Sequence, residues 1–152
     1  MICHHYKCLF VHIPKVAGQS IETIFLNLLN LTWKTRAPLL LRKNDCPEIG
    51  PPRLAHLAIG EYLEYKYLSK ELFDNYFKFS FVRNPWCRAV SLYHYYGFDN
   101  KCEFNDFVLN YFRYLFRIHN WFFKPQIQFI TIDNTITLDF LGRYENLQSD
   151  FD

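Results

Sequence analysis

Apolar residues run together over Leu9-Phe10-Val11-His12-Ile13, pause at Pro14-Lys15-Val16-Ala17-Gly18, and recur at Ile21, Ile24, Phe25, Leu28 and Leu29. The run predicts a buried strand. The i, i+3, i+4, i+7, i+8 recurrence predicts an amphipathic helix that ends near Asn30 with those five positions toward the core. Phe77-Lys78-Phe79-Ser80-Phe81-Val82 alternates and predicts a second strand, and Pro85 fits the first turn of the helix that follows it. Between these pairs, Lys34 to Arg53 is basic and broken by Pro38, Pro47, Pro51 and Pro52, the pattern of a long loop. A helical stretch with a break is expected from Ala55 to about Tyr76, and a long aromatic helical stretch from Phe104 to Phe123. Gln126 to Ile130 is ambiguous between helix and strand. Asp133-Asn134 reads as a turn, and Thr137 to Tyr144 as a third strand-to-loop junction.

Strands alternating with helices predict an α/β chain. The 152 residues suffice for one domain with its own core over 1–152. With 16 Phe and 11 Tyr the chain is unusually aromatic, which excludes disorder. A net charge of +2 carries no global nucleic-acid signature, so no nucleic-acid partner is expected and any basic surface is local. The five cysteines form no C-x-x-C pair, so neither a metal site nor a full disulfide framework is expected. No signal or membrane-spanning segment is legible. The expectation is a cytoplasmic protein, with a Golgi lumen only if an anchor lies outside this chain.

The candidate chemistry sits at the strand-to-helix junctions. A tight loop opening a helix aims backbone N–H groups and a positive helix end at one spot, which suits a phosphate. Gly18 offers a left-handed conformation or close approach, Lys15 a charge, and Ser20 a hydroxyl at the helix start. Lys15 precedes Gly18, which is not the Walker order. At the second junction Arg83 stands at the carboxyl end of the strand, with Arg88 and Ser91 on one face of the next helix. Two cationic junctions point to a ligand with two separated phosphates. His56 lies where the basic loop hands over to the next helix. Trp86 is either core or a platform for a base.

His12-Ile13-Pro14-Lys15-Val16-Ala17-Gly18-Gln19-Ser20 resembles the 5′-phosphosulfate loop of the sulfotransferases, especially their carbohydrate (heparan-type) branch. Phe81-Val82-Arg83-Asn84-Pro85-Trp86-Cys87-Arg88-Ala89-Val90-Ser91 resembles that family's 3′-phosphate motif, and Ala55-His56-Leu57 its short His-bearing motif. Pro125-Gln126 and Phe140 to Leu147 resemble later segments in the right order, so the likeness spans nearly the whole chain. Gln19 stands where the family usually has a small residue or Thr, and Cys87 where an acidic residue or Tyr is common.

The resemblance implies a P-loop-like three-layer α/β fold with a central parallel sheet flanked by helices, compact or short at its C-terminus. It implies 3′-phosphoadenosine-5′-phosphosulfate as co-substrate, no metal, and transfer of a sulfuryl group to a hydroxyl or amine of an acceptor. The acceptor expected is a carbohydrate or another anionic hydroxyl compound. By the same resemblance Lys15 serves catalysis and the donor phosphate, while Ala17, Gly18, Gln19 and Ser20 hold the 5′-phosphate. Arg83 and Ser91 hold the 3′-phosphate, and His56 is the base, with Glu61 as fallback. His12 is expected to be structural, Arg88 to help or to pair internally, and Glu145 to tie down the last loop. Two other readings stay open: a kinase-like phosphoryl transferase, and a nucleotide- or glycan-binding protein without catalysis.

Overall fold

A computed structural model describes residues 1–151. The chain opens on strands β1 (Ile2–Cys3) and β2 (Cys8–Val11), followed by helix α1 (Gly18–Leu28). Helices α2 (Glu61–Glu64) and α3 (Lys70–Asn75) precede strand β3 (Phe77–Val82) and helix α4 (Pro85–Tyr95). Helix α5 (Phe104–Asp106) passes through a π-turn over Phe107–Tyr111 into α6 (Phe112–Ile118), and α7 (Asn120–Phe123) and α8 (Ile127–Ile130) follow. A hairpin of β4 (Thr131–Ile132) and β5 (Thr135–Ile136), strand β6 (Phe140–Arg143) and helix α9 (Leu147–Phe151) complete it. Among the described residues no helix is long and apolar enough to cross a membrane.

The central sheet has the order β1-β2-β3-β6. Strands β2, β3 and β6 are parallel, as the strand–helix alternation requires, and β1 adds an antiparallel edge. That edge has no counterpart among the expected strands, since two residues leave no periodic signal. Parallel strands are covered on both faces, which is why all four residues of β2 are buried and apolar. Phe10 and Phe25 both stack on Phe79, at 5.0 and 6.2 Å between ring centroids, which packs α1 onto that face of the sheet. Each fully buried aromatic here contributes about 1.5–3 kcal/mol.

The period of α1 is as expected, but its phase is not. Ile24 and Leu28 are 39% and 56% exposed, while Gly18, Ile21, Glu22, Phe25 and Leu26 face inward. The helix turns a carboxylate to the core because His12 is waiting there to pair with it.

Three further differences bear on the site. The basic loop is anchored rather than open, because Leu39, Leu40 and Leu41 are buried and the Asn44 amide donates to the carbonyls of Cys46, Gly50 and Pro51. The stretch after it is a 3-10 turn over Leu54–His56 and two short helices instead of one broken helix. The aromatic stretch does bury Phe107, Leu115, Phe122 and Phe123 as a second core and leaves Arg113 and Arg117 outside. Asp133 and Asn134 are the left-handed turn residues of the β4–β5 hairpin.

Candidate active site

At the first junction the chain leaves β2 and turns through two left-handed residues, Lys15 (φ 70°) and Ala17 (φ 64°). Non-glycine residues adopt this conformation at a cost, and such strain is held where the surroundings over-determine it. Gly18 is not left-handed. It is required by close approach of the His12 ring, since a Cβ there would come within 2.0 Å of His12 Cδ2. Ala17 supplies no side-chain cap, so the positive end of α1 is left open. The Lys15 ammonium sits 4.2 Å over the Tyr95 ring of α4. Burial, and then the charge of Arg83, push its pKa down.

Lys15, Ala17, Gly18, Gln19 and His56 all line one cavity of about 130 Å³, together with His12, Arg53, Tyr95 and Phe122. His56 is 7% exposed and donates from Nδ1 to the His12 carbonyl at 3.0 Å. A carbonyl can only accept, so the neutral ring keeps its lone pair on Nε2. Burial first, and His12 second, hold the His56 pKa well below 6.5, so the ring is neutral at pH 7. A neighbouring cleft of about 200 Å³ shares His12, Gln19, Arg53 and His56 and adds Trp33, Arg36, Arg42 and Lys43. The Lys43–Arg53 bridge brings two of these cations side by side. A larger groove of about 560 Å³, over Phe77, Phe79, Phe81 and Phe140, is mostly aromatic and shares no lining residue with this chemistry.

The second junction is built differently. The Asn84 side chain accepts from the N–H groups of Trp86 and Cys87 (3.0 and 3.2 Å) and so closes the start of α4. What it offers a ligand is the Arg83 guanidinium. Its Nη1 donates to the Lys15 carbonyl at 3.3 Å, and its plane lies 4.1 Å from the Tyr144 ring. Its Nε is buried and has no hydrogen-bond partner among the described residues. An orphaned guanidinium N–H at a strand's carboxyl end fits a phosphate oxygen. Gln126 holds the Arg83 backbone from both sides, accepting from its N–H (2.9 Å) and donating to its carbonyl (2.7 Å). Glu145 accepts the Asn84 N–H at 2.8 Å, which lowers its pKa and fastens the last loop to this junction.

Not every expected residue is gathered here. Ser20 lies in a shallow depression with Gln19, Thr23 and Trp33 and does not line the cavity of Lys15. Ser91 is partly buried on α4, one turn before Tyr95, and lines neither the cavity nor the cleft. Arg88 is turned inward. At 6% exposure, it donates to the carbonyls of Pro14, Phe122 and Lys124. Glu61 accepts the Ala58 N–H at 2.6 Å and pairs with Lys124 at 3.6 Å, away from the cavity. Trp86 is 71% exposed and belongs to no core. Glu22 and Tyr95 carry no motif and are found only in the structure, and Gln126, part of a segment that carries the resemblance, shows its hold on Arg83 only here. Arg53 was legible only as one more cation of the basic loop. Among the described residues no group of three or more His, Cys, Asp or Glu is placed to hold a metal.

The sequence model described as the sulfotransferase family matches residues 1–152. An uncharacterised protein of Archaeoglobus fulgidus is 37% identical over 90 residues, covering 55% of this chain and 68% of that protein. No solved structure matches the chain significantly.

Proposed function

The chain belongs to the sulfotransferase family, and from that premise we propose that it transfers a sulfuryl group from 3′-phosphoadenosine-5′-phosphosulfate to a carbohydrate hydroxyl. The observation that carries this reading is the meeting of three groups. Lys15, the open end of α1 and the buried neutral His56 line one cavity, and Arg83, tied to the Lys15 carbonyl through Nη1 and with its Nε unpartnered among the described residues, lines the adjoining pocket with Asn84, Arg143 and Glu145.

The donor, when bound, supplies an activated sulfuryl group on a phosphate leaving group. The chain's residues do the rest. Backbone N–H groups of Ala17 to Ser20 and the helix end hold the 5′-phosphate, with the Ser20 hydroxyl assisting. Lys15 neutralises charge that grows on the leaving oxygen, a preorganised electrostatic role. Arg83 Nε, with Ser91 further along α4, holds the 3′-phosphate. His56 takes the acceptor proton on Nε2, the nitrogen its bond to the His12 carbonyl leaves free.

The acceptor enters by the basic cleft. Arg36, Arg42, Lys43 and Arg53 have no ion-pair partner among the described residues, and Trp33 stands beside them as an aromatic wall. Uncompensated cations next to the base favour a sugar that carries its own anionic group.

Turnover with labelled donor against anionic polysaccharides, neutral glycans, phenols and amines tests this directly. Sulfation of an anionic glycan is expected, and His56→Ala should lower it by roughly 10²–10⁴ while nucleotide binding persists. Calorimetric binding of ATP but not of 3′-phosphoadenosine-5′-phosphate, or binding without any transfer, would overturn the reading.

A further inference from the structure

Glu22 is a carboxylate on an otherwise apolar helix face, and its side chain is 3% exposed. Burying a carboxylate is costly unless it is paired. Its partner is His12, whose Nδ1–H donates to Glu22 Oε1 at 2.6 Å and whose side chain is 6% exposed. A buried pair of this kind is seldom retained for stability alone, because apolar side chains of the same volume serve a core as well. The pair also sits at a pointed place. The His12 ring rests on the Gly18 backbone, and its centroid lies 4.4 Å from that of His56. The His12 carbonyl receives the His56 Nδ1–H. Both His12 and Glu22 reach the wall of the basic cleft.

We propose that Glu22 and His12 are positioning residues for the base: Glu22 locks the His12 ring against Gly18, and this holds the strand-end carbonyl on His56 Nδ1–H. The His56 lone pair is thereby kept on Nε2 and turned toward the acceptor. The inference rests on the sulfotransferase reading for the word base, but the geometric coupling does not depend on it. No group other than the His12 carbonyl accepts from His56 Nδ1 among the described residues. A His12 ring free to tilt would carry its own backbone with it and release the imidazole to either tautomer.

The test is Glu22→Leu, read by nitrogen NMR of the imidazoles and by steady-state kinetics. In the native protein both His12 and His56 should carry the proton on Nδ1. In the variant His12 should become a tautomer mixture, and His56 should follow it. Turnover number should fall about 10–100-fold with the donor KM changed less than about threefold, the signature of a misplaced base rather than a damaged nucleotide site. Glu22→Asp, which keeps the carboxylate, should recover part of the loss. Should Glu22→Leu not fold, Glu22→Met keeps the volume without an acceptor for His12 Nδ1–H and reads the same two quantities. A His56 that stays on its Nδ1–H tautomer, or a donor KM that collapses together with turnover, would overturn the proposal. A protein that transfers no sulfuryl group while its His56 tautomer still follows Glu22 would instead sink the catalytic reading and leave the coupling standing.

Discussion

The two strand-to-helix junctions carry similar residues and solve opposite problems. At the first, Ala17 leaves the start of α1 uncapped and the backbone strained, so the helix end itself is available to an anion. At the second, Asn84 caps α4 with its own side chain, and the cation beside it is a guanidinium with one idle, buried N–H. A capped helix end has fewer N–H groups free for a phosphate, so under the proposed function recognition there passes from the main chain to Arg83. The junctions are not independent. Arg83 reaches the Lys15 carbonyl across 68 positions of sequence, and Arg88 reaches that of Pro14 across 74.

Substitutions can set the two apart. The largest effect is expected at Lys15: Lys15→Ala should lower turnover about 10²–10³-fold in the donor assay. Arg83→Ala should act mainly on donor KM, because its contact is made in the bound state as much as in the transition state. Equal loss of turnover number in both variants, with donor affinity intact, would erase the distinction.

Gly18→Ala should be next in size. The added methyl meets the His12 ring and forces a shift, costing about 1–3 kcal/mol in urea unfolding. An undisturbed variant would mean that the first junction is looser than its geometry.

The first junction also has a histidine titration that the second lacks. His56, held well below 6.5 by burial and by His12, binds a proton less readily folded than unfolded. Stability is therefore full above pH 6.5 and falls as pH drops below it, toward the lower folded pKa. Between about pH 7.5 and 5.5 the native protein should lose roughly 1 kcal/mol more than His56→Gln, by chemical denaturation at each pH. A parallel loss in both proteins would reject this. The smallest effect belongs to the closed junction: Asn84→Ala should cost about 0.5–1 kcal/mol of stability and leave donor binding nearly unchanged.

Much of the site was legible because it is local. A strand, a turn bearing Lys15 and a helix opening near Gly18 are read from spacing alone, as are Arg83 after β3 and Pro85 at the start of α4. His56 was the least supported locally, and the structure puts it in the same cavity as Lys15. Of the two reasons expected for Gly18, the left-handed conformation is absent and close approach is present, with the His12 ring as the approaching group. Arg88 was offered as a ligand or an internal partner, and three buried carbonyls decide for the second.

The sequence by itself determined the order β2, α1, β3 and α4, the period of α1, the turn at Asp133-Asn134 and the residue types at each junction. These depend on neighbours within a few positions, where spacing and backbone preference suffice. Only the tertiary structure decided the phase of α1, and with it Glu22 against His12; so too Gln126 on the Arg83 backbone, and the cations of the basic loop beside His56. The first two choose a partner for a buried or half-buried polar group, and the third brings mostly exposed cations to a site elsewhere along the chain. That choice is made by contacts many residues apart, which no local pattern encodes.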